Sequence, residues 1–312
     1  MGDDRHNLID RRGFLRRALA GIMAAGAAAL TASGVRQAFD LEIERISARS
    51  EHLTQTLRVA FASDLHVGPY ANAERVEHWV GAILTTHPDV IVLGGDIVDQ
   101  RAPHDLRPVF AALAELRAPA GVFAVLGNHE YLRFTRPQRF LDDLHGIGIT
   151  PLVNEGRTLP GGLFLAGVDD YRHGRPDLAR SLAARPARAP ALLVSHNPDL
   201  LPSVPHTVDL TLCGHTHGGQ LRLPAFGPLF TSSAYGTRFV SGWIDAPARG
   251  YVSRGLGVGK VPIRWNCPPE LTLLTLLPAD APARHVRPRA ARAAPQPHRD
   301  RLAHITYHAG RS

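Results

Sequence analysis

Leu210-Thr211-Leu212-Cys213-Gly214-His215-Thr216-His217-Gly218-Gly219 passes from a short apolar run into two histidines set two residues apart between glycines. A four-residue apolar run stopped by glycine reads as a buried strand. The glycines flanking His215 and His217 permit a tight backbone path. In an extended segment side chains i and i+2 point to the same side, so both imidazoles can grip one ion. Outward from this stretch the same sequence of strand and then polar motif recurs upstream. Leu57–Ala62 leads into Asp64-Leu65-His66, and Val90–Leu93 into Gly95-Asp96-Ile97-Val98-Asp99. Gly121–Leu126 leads into Gly127-Asn128-His129-Glu130, and Ala191–Val194 into Ser195-His196-Asn197. Ligands of open α/β sheets gather outside the carboxyl ends of strands, so five motifs so placed predict one shared site.

Between the first strands lie helical patterns over 73–85, 106–116 and 137–144. This βαβ rhythm predicts an α/β fold with a largely parallel sheet. Leu41–Glu44 alternates like a half-buried strand. After Phe164–Val168 the strands are short and punctuated by Gly and Pro up to Leu271–Leu277, which predicts a second sheet of mixed or antiparallel strands packed on the first.

The 312 residues carry 44% hydrophobic and 20% charged side chains, the balance of a soluble globular chain. The net charge of +7 sits at the two ends. Six Arg against three Asp give residues 1–36 a charge of +3, seven Arg against two Asp give residues 279–312 +5, and residues 37–278 are left at −1. A nearly neutral centre without a basic stripe argues against a nucleic-acid partner. Cys213 and Cys267 are too few for a disulfide scaffold or a thiolate metal site, and free thiols are expected. Residues 279–312, rich in Ala, Arg, Pro and His, predict a disordered tail.

At the N-terminus Asp10-Arg11-Arg12-Gly13-Phe14-Leu15 precedes the small apolar run Ala18–Ala32. A charged segment before a short apolar one has the physics of an export signal, and the paired arginines resemble a twin-arginine (Tat) signal. Residues 1–36 are therefore expected to engage the Tat export machinery. The protein would be exported across, or anchored to, the cytoplasmic membrane and face outward. The 15-residue run is short for a bilayer span, which needs about 20 residues.

Imidazole, carboxylate and one amide without thiolate suit Mn, Fe, Zn or Co better than Ca or Mg. Each motif alone is common in turns and strand ends; the ordered set of five is not. That set resembles the calcineurin-like metallophosphoesterases over about residues 55–278. Leu212–Gln220, Val252-Ser253-Arg254-Gly255-Leu256-Gly257 and Pro268-Pro269-Glu270 are similar to a bacterial branch of Tat-exported or membrane-associated phosphodiesterases. The resemblance implies a two-layer β-sandwich flanked by helices, with two divalent transition-metal ions at its carboxyl edge. It also implies that Asp64, His66 and His217 hold one metal and that Asn128, His196 and His215 hold the other. Asp96 would bridge them. His129 would face the substrate as a catalytic residue, with Asp99 orienting its ring and favouring its charged form, and a metal-bridging hydroxide would attack phosphorus in line with the leaving group. Asn128 and His129 are expected in an extended turn that sends their side chains apart.

The activity so implied is a phosphodiesterase. The alternatives are a pyrophosphatase of a nucleotide-activated lipid precursor and, in another class, a non-catalytic metal-binding envelope protein. No phosphate-cradling Gly-x-x-x-x-Gly-Lys loop is present. Lysine keeps the charge of arginine but not its planar fork. Replacing Arg11 and Arg12 together by Lys is therefore expected to leave a folded, metal-loaded protein in the cytoplasm on cell fractionation; delivery of that variant to the envelope would contradict the Tat reading.

Overall fold

The computed structural model describes residues 11–281. In chain order the strands of the first half are β1 (Glu42–Ser50), β2 (Leu57–Ala62), β3 (Val90–Leu93), β4 (Val122–Ala124), β5 (Ile149–Pro151), β6 (Glu155–Thr158) and β7 (Phe164–Gly167). The rest are β8 (Ala191–Val194), β9 (Leu210–Cys213), β10 (Arg222–Leu223), β11 (Gly227–Pro228), β12 (Gly242–Asp245), β13 (Arg249–Val252) and β14 (Glu270–Pro278). The helices are α1 (Arg11–Gln37), α2 (Ala73–Thr85), α3 (Arg107–Leu113), α4 (Asn128–Arg133), α5 (Gln138–Gly146) and α6 (Leu178–Leu182).

Two six-stranded sheets result, ordered β1-β14-β2-β3-β4-β5 and β12-β13-β9-β8-β7-β6. In the first, only the β14–β2 pairing is antiparallel. In the second, the two outer pairings are antiparallel and the three inner ones parallel. Strand periodicity divides the buried residues. Val59, Phe61, Val90, Val92, Leu274 and Leu276 of the first sheet meet Leu165, Leu192, Val194, Leu210 and Leu212 of the second. Their neighbours Ala60, Ala62, Ile91 and Leu93 point the other way, against α2, α3 and α5. Phe164, Ala166 and Leu193 pack outward on Leu200, Val204 and α6. The expected two-layer sandwich with flanking helices is the architecture found.

α2 shows why these helices form where they do. Asn72 caps it by accepting from Arg75 N at 3.0 Å, and Glu74 sits in its first turn, where the helix dipole favours an anion. Val76, Trp79, Val80 and Ile83 fall on one face and are buried. Each stabilises the fold by roughly 1.5–3 kcal/mol.

The observed elements depart from the sequence expectation mainly at edges. The strand expected over 41–44 runs nine residues, because its main chain pairs with β14 from Glu42↔Glu270 to Ser50↔Pro278. The helix expected over 106–116 is only Arg107–Leu113. β6 has no buried residue to announce it and is held by main-chain pairing with β7. The apolar N-terminal run belongs to one 27-residue helix, α1, whose Leu19–Gln37 portion is long and apolar enough to cross a membrane. At the other end, all but the first three residues of the tail expected to be disordered, 279–312, lie outside the described residues.

Candidate metal centre

β2, β3 and β4 of one sheet and β8 and β9 of the other end at a common edge, and the five motifs follow them directly. All nine residues singled out from the sequence come together there. Asp64 is fully buried, and its two carboxylate oxygens each accept from His215 N at 3.0 Å, which ties the first sheet to the second. Asp64 Oδ1 lies 3.7 Å from His217 Nε2 and 3.9 Å from His66 Nε2. Asp96 Oδ2 lies 3.1 Å from His196 Nε2 and 3.5 Å from His66 Nε2, while its Oδ1 accepts from His129 N at 2.8 Å. In the groups Asp64–His66–His217 and Asp96–His196–His215 the donor atoms all lie within 4.8 Å of one another, as they do in His66–Asp99–His129.

The backbone reaches this arrangement by a route other than the extended one expected. Asp64, His66, His215 and His217 lie past the ends of β2 and β9 with φ of 56°, 47°, 72° and 51°. The alternation of extended chain therefore does not explain why Asp64 and His66 converge, and His215 and His217 part into different groups instead of gripping one ion. Asp96 shares the conformation at φ 49°. Non-glycine residues in this region cost free energy, and such strain collects at functional sites. Two glycines make the close approach possible: a Cβ at Gly127 would run into Asp96 Oδ1, and one at Gly214 into Ser63 and the Asp64 carboxylate. Asn128 and His129 also differ from expectation. They open α4 rather than an extended turn, so successive helical positions send the two side chains apart.

Six buried polar atoms at this edge have no hydrogen-bond partner among the described residues. They are both ring nitrogens of His66 and of His215, Nε2 of His196 and Oδ1 of Asn128. Leaving a buried polar atom unmet costs about 1–3 kcal/mol. His196 Nδ1 lies 2.8 Å from Gly94 O and must donate to it, which leaves Nε2 to face Asp96. Burial, with the nearby His196, pushes His215 down to about 3. Burial likewise holds His217 well below the ordinary histidine range. Neutral imidazole is the form that ligates metal; at His66 and His196 burial is outweighed by the neighbouring carboxylates, which raise the pKa, at His196 well above the ordinary histidine range. Lone pairs converging with the Asp64 and Asp96 carboxylates, which pair with no lysine or arginine among the described residues, fit divalent cations by their donor chemistry.

His129 Nδ1 accepts from Gln100 N at 3.3 Å and lies 3.5 Å from Asp99 Oδ2. Asp99 has nearer partners: its Oδ1 accepts from the main-chain N and from Nε of Arg101, each at 2.8 Å, and its Oδ2 lies 3.4 Å from His66 Nδ1. Burial lowers the pKa of His129 against the pull of Asp96, the opposite direction to the charged ring expected. Both cysteines are free and buried.

Sequence reasoning assigned no role to Glu130 or Arg264. The Glu130 carboxylate, fully buried, accepts from Gly127 N at 2.8 Å and from Asp96 N and Val98 N at 3.1 Å each. It fixes the Asp96 turn to the start of α4, and burial beside Asp96 pushes it up to about 7. Its signal was present: a glutamate three residues after Gly127 is the N3 position of a capping box. Arg264, fully buried, donates to Gly257 O at 2.6 Å and Arg254 O at 2.7 Å and so braces the segment behind His217. Nothing in Val-Pro-Ile-Arg-Trp announces that. Glu130→Ala strands three buried N–H groups and is expected to destabilise the fold by at least ~1–3 kcal/mol, read as a lower melting temperature of the full chain. An unchanged melting temperature would show that Glu130 does not hold the two turns together.

Residues 57–219 match the family described as Calcineurin-like phosphoesterase. The chain is 32% identical over 283 residues to YkuE, a metallophosphoesterase of Bacillus subtilis, covering 86% of this chain and 98% of that one. It is 32% identical over 232 residues to the phosphodiesterase YaeI of Escherichia coli, covering 70% and 82%. It is also 30% identical over 244 residues to a transmembrane protein with metallophosphoesterase domain of Bos taurus, covering 71% of this chain and 53% of that one. With the match running from the first residue of β2 past His217, the chain belongs to the calcineurin-like phosphoesterase family and is a metal-dependent phosphoric ester hydrolase.

Proposed function

We propose that this protein is a dinuclear-metal phosphodiesterase of the cell envelope. The observation that carries the reading is the set of six unmet buried donor atoms at the strand ends, all on residues of the two candidate groups or on the adjoining Asn128. Asp64, His66 and His217 would hold one ion; Asn128, His196 and His215 would hold the other; Asp96, which faces His66 and His196 with one oxygen, would serve both. The donors favour Mn, Fe, Zn or Co. Bound divalent metals supply Lewis acidity and bring the pKa of water from 15.7 to about 7.

His129 stands apart from the ligands in this reading. Its Nδ1 side is occupied by Gln100 N and Asp99, while its Nε2 donates to none of the described residues. With the His129 side chain 20% exposed, Nε2 would be free to pass a proton to the oxygen that leaves phosphorus. In the charged ring Nδ1 carries a proton and gives up the bond from Gln100 N, and Asp99, 3.5 Å from Nδ1, then steadies that ring before transfer. Between substrates, a phosphodiester is the first choice, and a pyrophosphate linkage presents the same phosphoryl centre. The phosphoesterase unit would be residues 37–278, with α1 and the Arg11-Arg12 pair delivering it through Tat export and holding it at the outward face of the membrane.

His129→Ala is expected to keep its metal and fold and to lose about 10²–10⁴ in turnover on esters with poor leaving groups, the usual worth of general acid catalysis. The loss should shrink for nitrophenyl esters, whose leaving oxygen hardly needs a proton. Asp99→Asn should show a milder form of the same pattern. Elemental analysis beside a leaving-group series checks both; loss of metal, or equal slowing of all esters, would make His129 a ligand or a charge stabiliser instead.

A further inference from the structure

A second feature lies just beyond the metal-site edge. β10 and β11 pair antiparallel to form a short hairpin that begins five residues after His217. Phe226 at its turn is 85% exposed, and Phe230 just past it 73%. Leu229 between β11 and Phe230 is exposed as well. Large apolar side chains presented side by side to water mark an interaction surface.

The base of this hairpin is joined to α1. Arg222 N donates to Trp265 O, and Trp265 N to Gln220 O, each at 2.9 Å. On the other side of the same segment Arg264 N donates to Gly34 O at 3.0 Å, and Cys267 N to Gln37 Oε1 at 3.3 Å. α1 also leaves Leu19, Ile22, Met23 and Leu30 exposed along the stretch able to cross a membrane. Two apolar elements without a protein cover among the described residues are thus fastened to one short segment, residues 264–267. From Leu221 to Ser241 the chain carries Arg222 and Arg238 and no carboxylate, the balance that suits an anionic headgroup layer.

We propose that the hairpin Arg222–Phe230 enters the lipid surface in which α1 is seated, with Phe226 and Phe230 as its wedge. The candidate metal centre is thereby held against the headgroups and takes phosphoesters carried on an amphiphile. The substrate part rests on the function proposed above; the contact with lipid does not.

The full chain, reconstituted in vesicles of phosphatidylcholine and phosphatidylglycerol with brominated acyl chains, tests both. Tryptophan at the turn (Phe226→Trp) should be quenched several-fold more strongly than tryptophan at Glu51→Trp, in the exposed turn after β1. Equal quenching at the two positions overturns the lipid contact, whether or not the protein hydrolyses any ester. Phe226→Ser combined with Phe230→Ser should slow hydrolysis of a vesicle-borne lipid diester several-fold and leave a soluble nitrophenyl diester unchanged. Equal loss on both substrates overturns the proposal, because the hairpin would then be supporting the site itself. Conversion of a self-associated protein to monomer by the same pair also overturns it, in favour of a second copy as the occupant.

Discussion

The carboxylate of Asp96 is the constraint around which the rest of this edge is arranged. It is buried, one oxygen faces His196 and His66, and the other accepts from the main chain of His129. A buried carboxylate without a fixed cation is costly, because desolvation is repaid only by close opposite charge and hydrogen bonds. The surroundings are built to hold it there nonetheless. Glu130 grips the Asp96 main chain, the backbone takes a left-handed turn, and Gly127 leaves no side chain in the way. Asp64 repeats the pattern on the neighbouring strand, gripped by His215 N. In the proposed centre these two carboxylates would supply the negative charge that two divalent ions require, and the imidazoles, neutral once they ligate, would supply directional lone pairs.

The sandwich makes such a cluster possible. Neither sheet alone carries all the donors: β2, β3 and β4 bring Asp64, His66, Asp96, Asn128 and His129, and β8 and β9 bring His196, His215 and His217. Packing of the inner faces through Val59, Phe61, Leu192 and Leu212 sets the distance between the two strand ends. Protein interiors are close-packed and resist adjustment, so this apolar core acts as the rigid mount of a polar edge. Arg264 and Glu130 complete the mount from behind.

Much of this was legible in the sequence, for physical reasons that differ by element. Leu57–Ala62, Val90–Leu93, Ala191–Val194 and Leu210–Cys213 were readable because a strand buried on both faces is a continuous apolar run. α2 was readable because its buried stripe has helical spacing. The candidate site was readable because five polar motifs, each common alone, recur in order after strand ends. What stayed hidden depends on long-range pairing. β6 and β10 to β13 are short and carry little periodicity, and β1 gains half its length from β14, over two hundred residues away. Local geometry was hidden as well. The spacing of Asp64 and His66 was read as extended chain, whereas left-handed turns bring the two together. Asp99 was paired with His129, yet Arg101, two residues on, is its closest partner.

In the proposed centre the unmet donors of this edge join Asp64 and His217 as ligands of two ions that share Asp96. Counting metal by elemental analysis of the fully loaded full chain tests it most directly, with Asp96→Asn and Asn128→Ala measured in parallel. About two transition-metal ions per chain are expected, with both sites impaired by Asp96→Asn and mainly one weakened by Asn128→Ala. No more than one ion in the fully loaded chain, or an Asp96→Asn protein that still binds two, would contradict it.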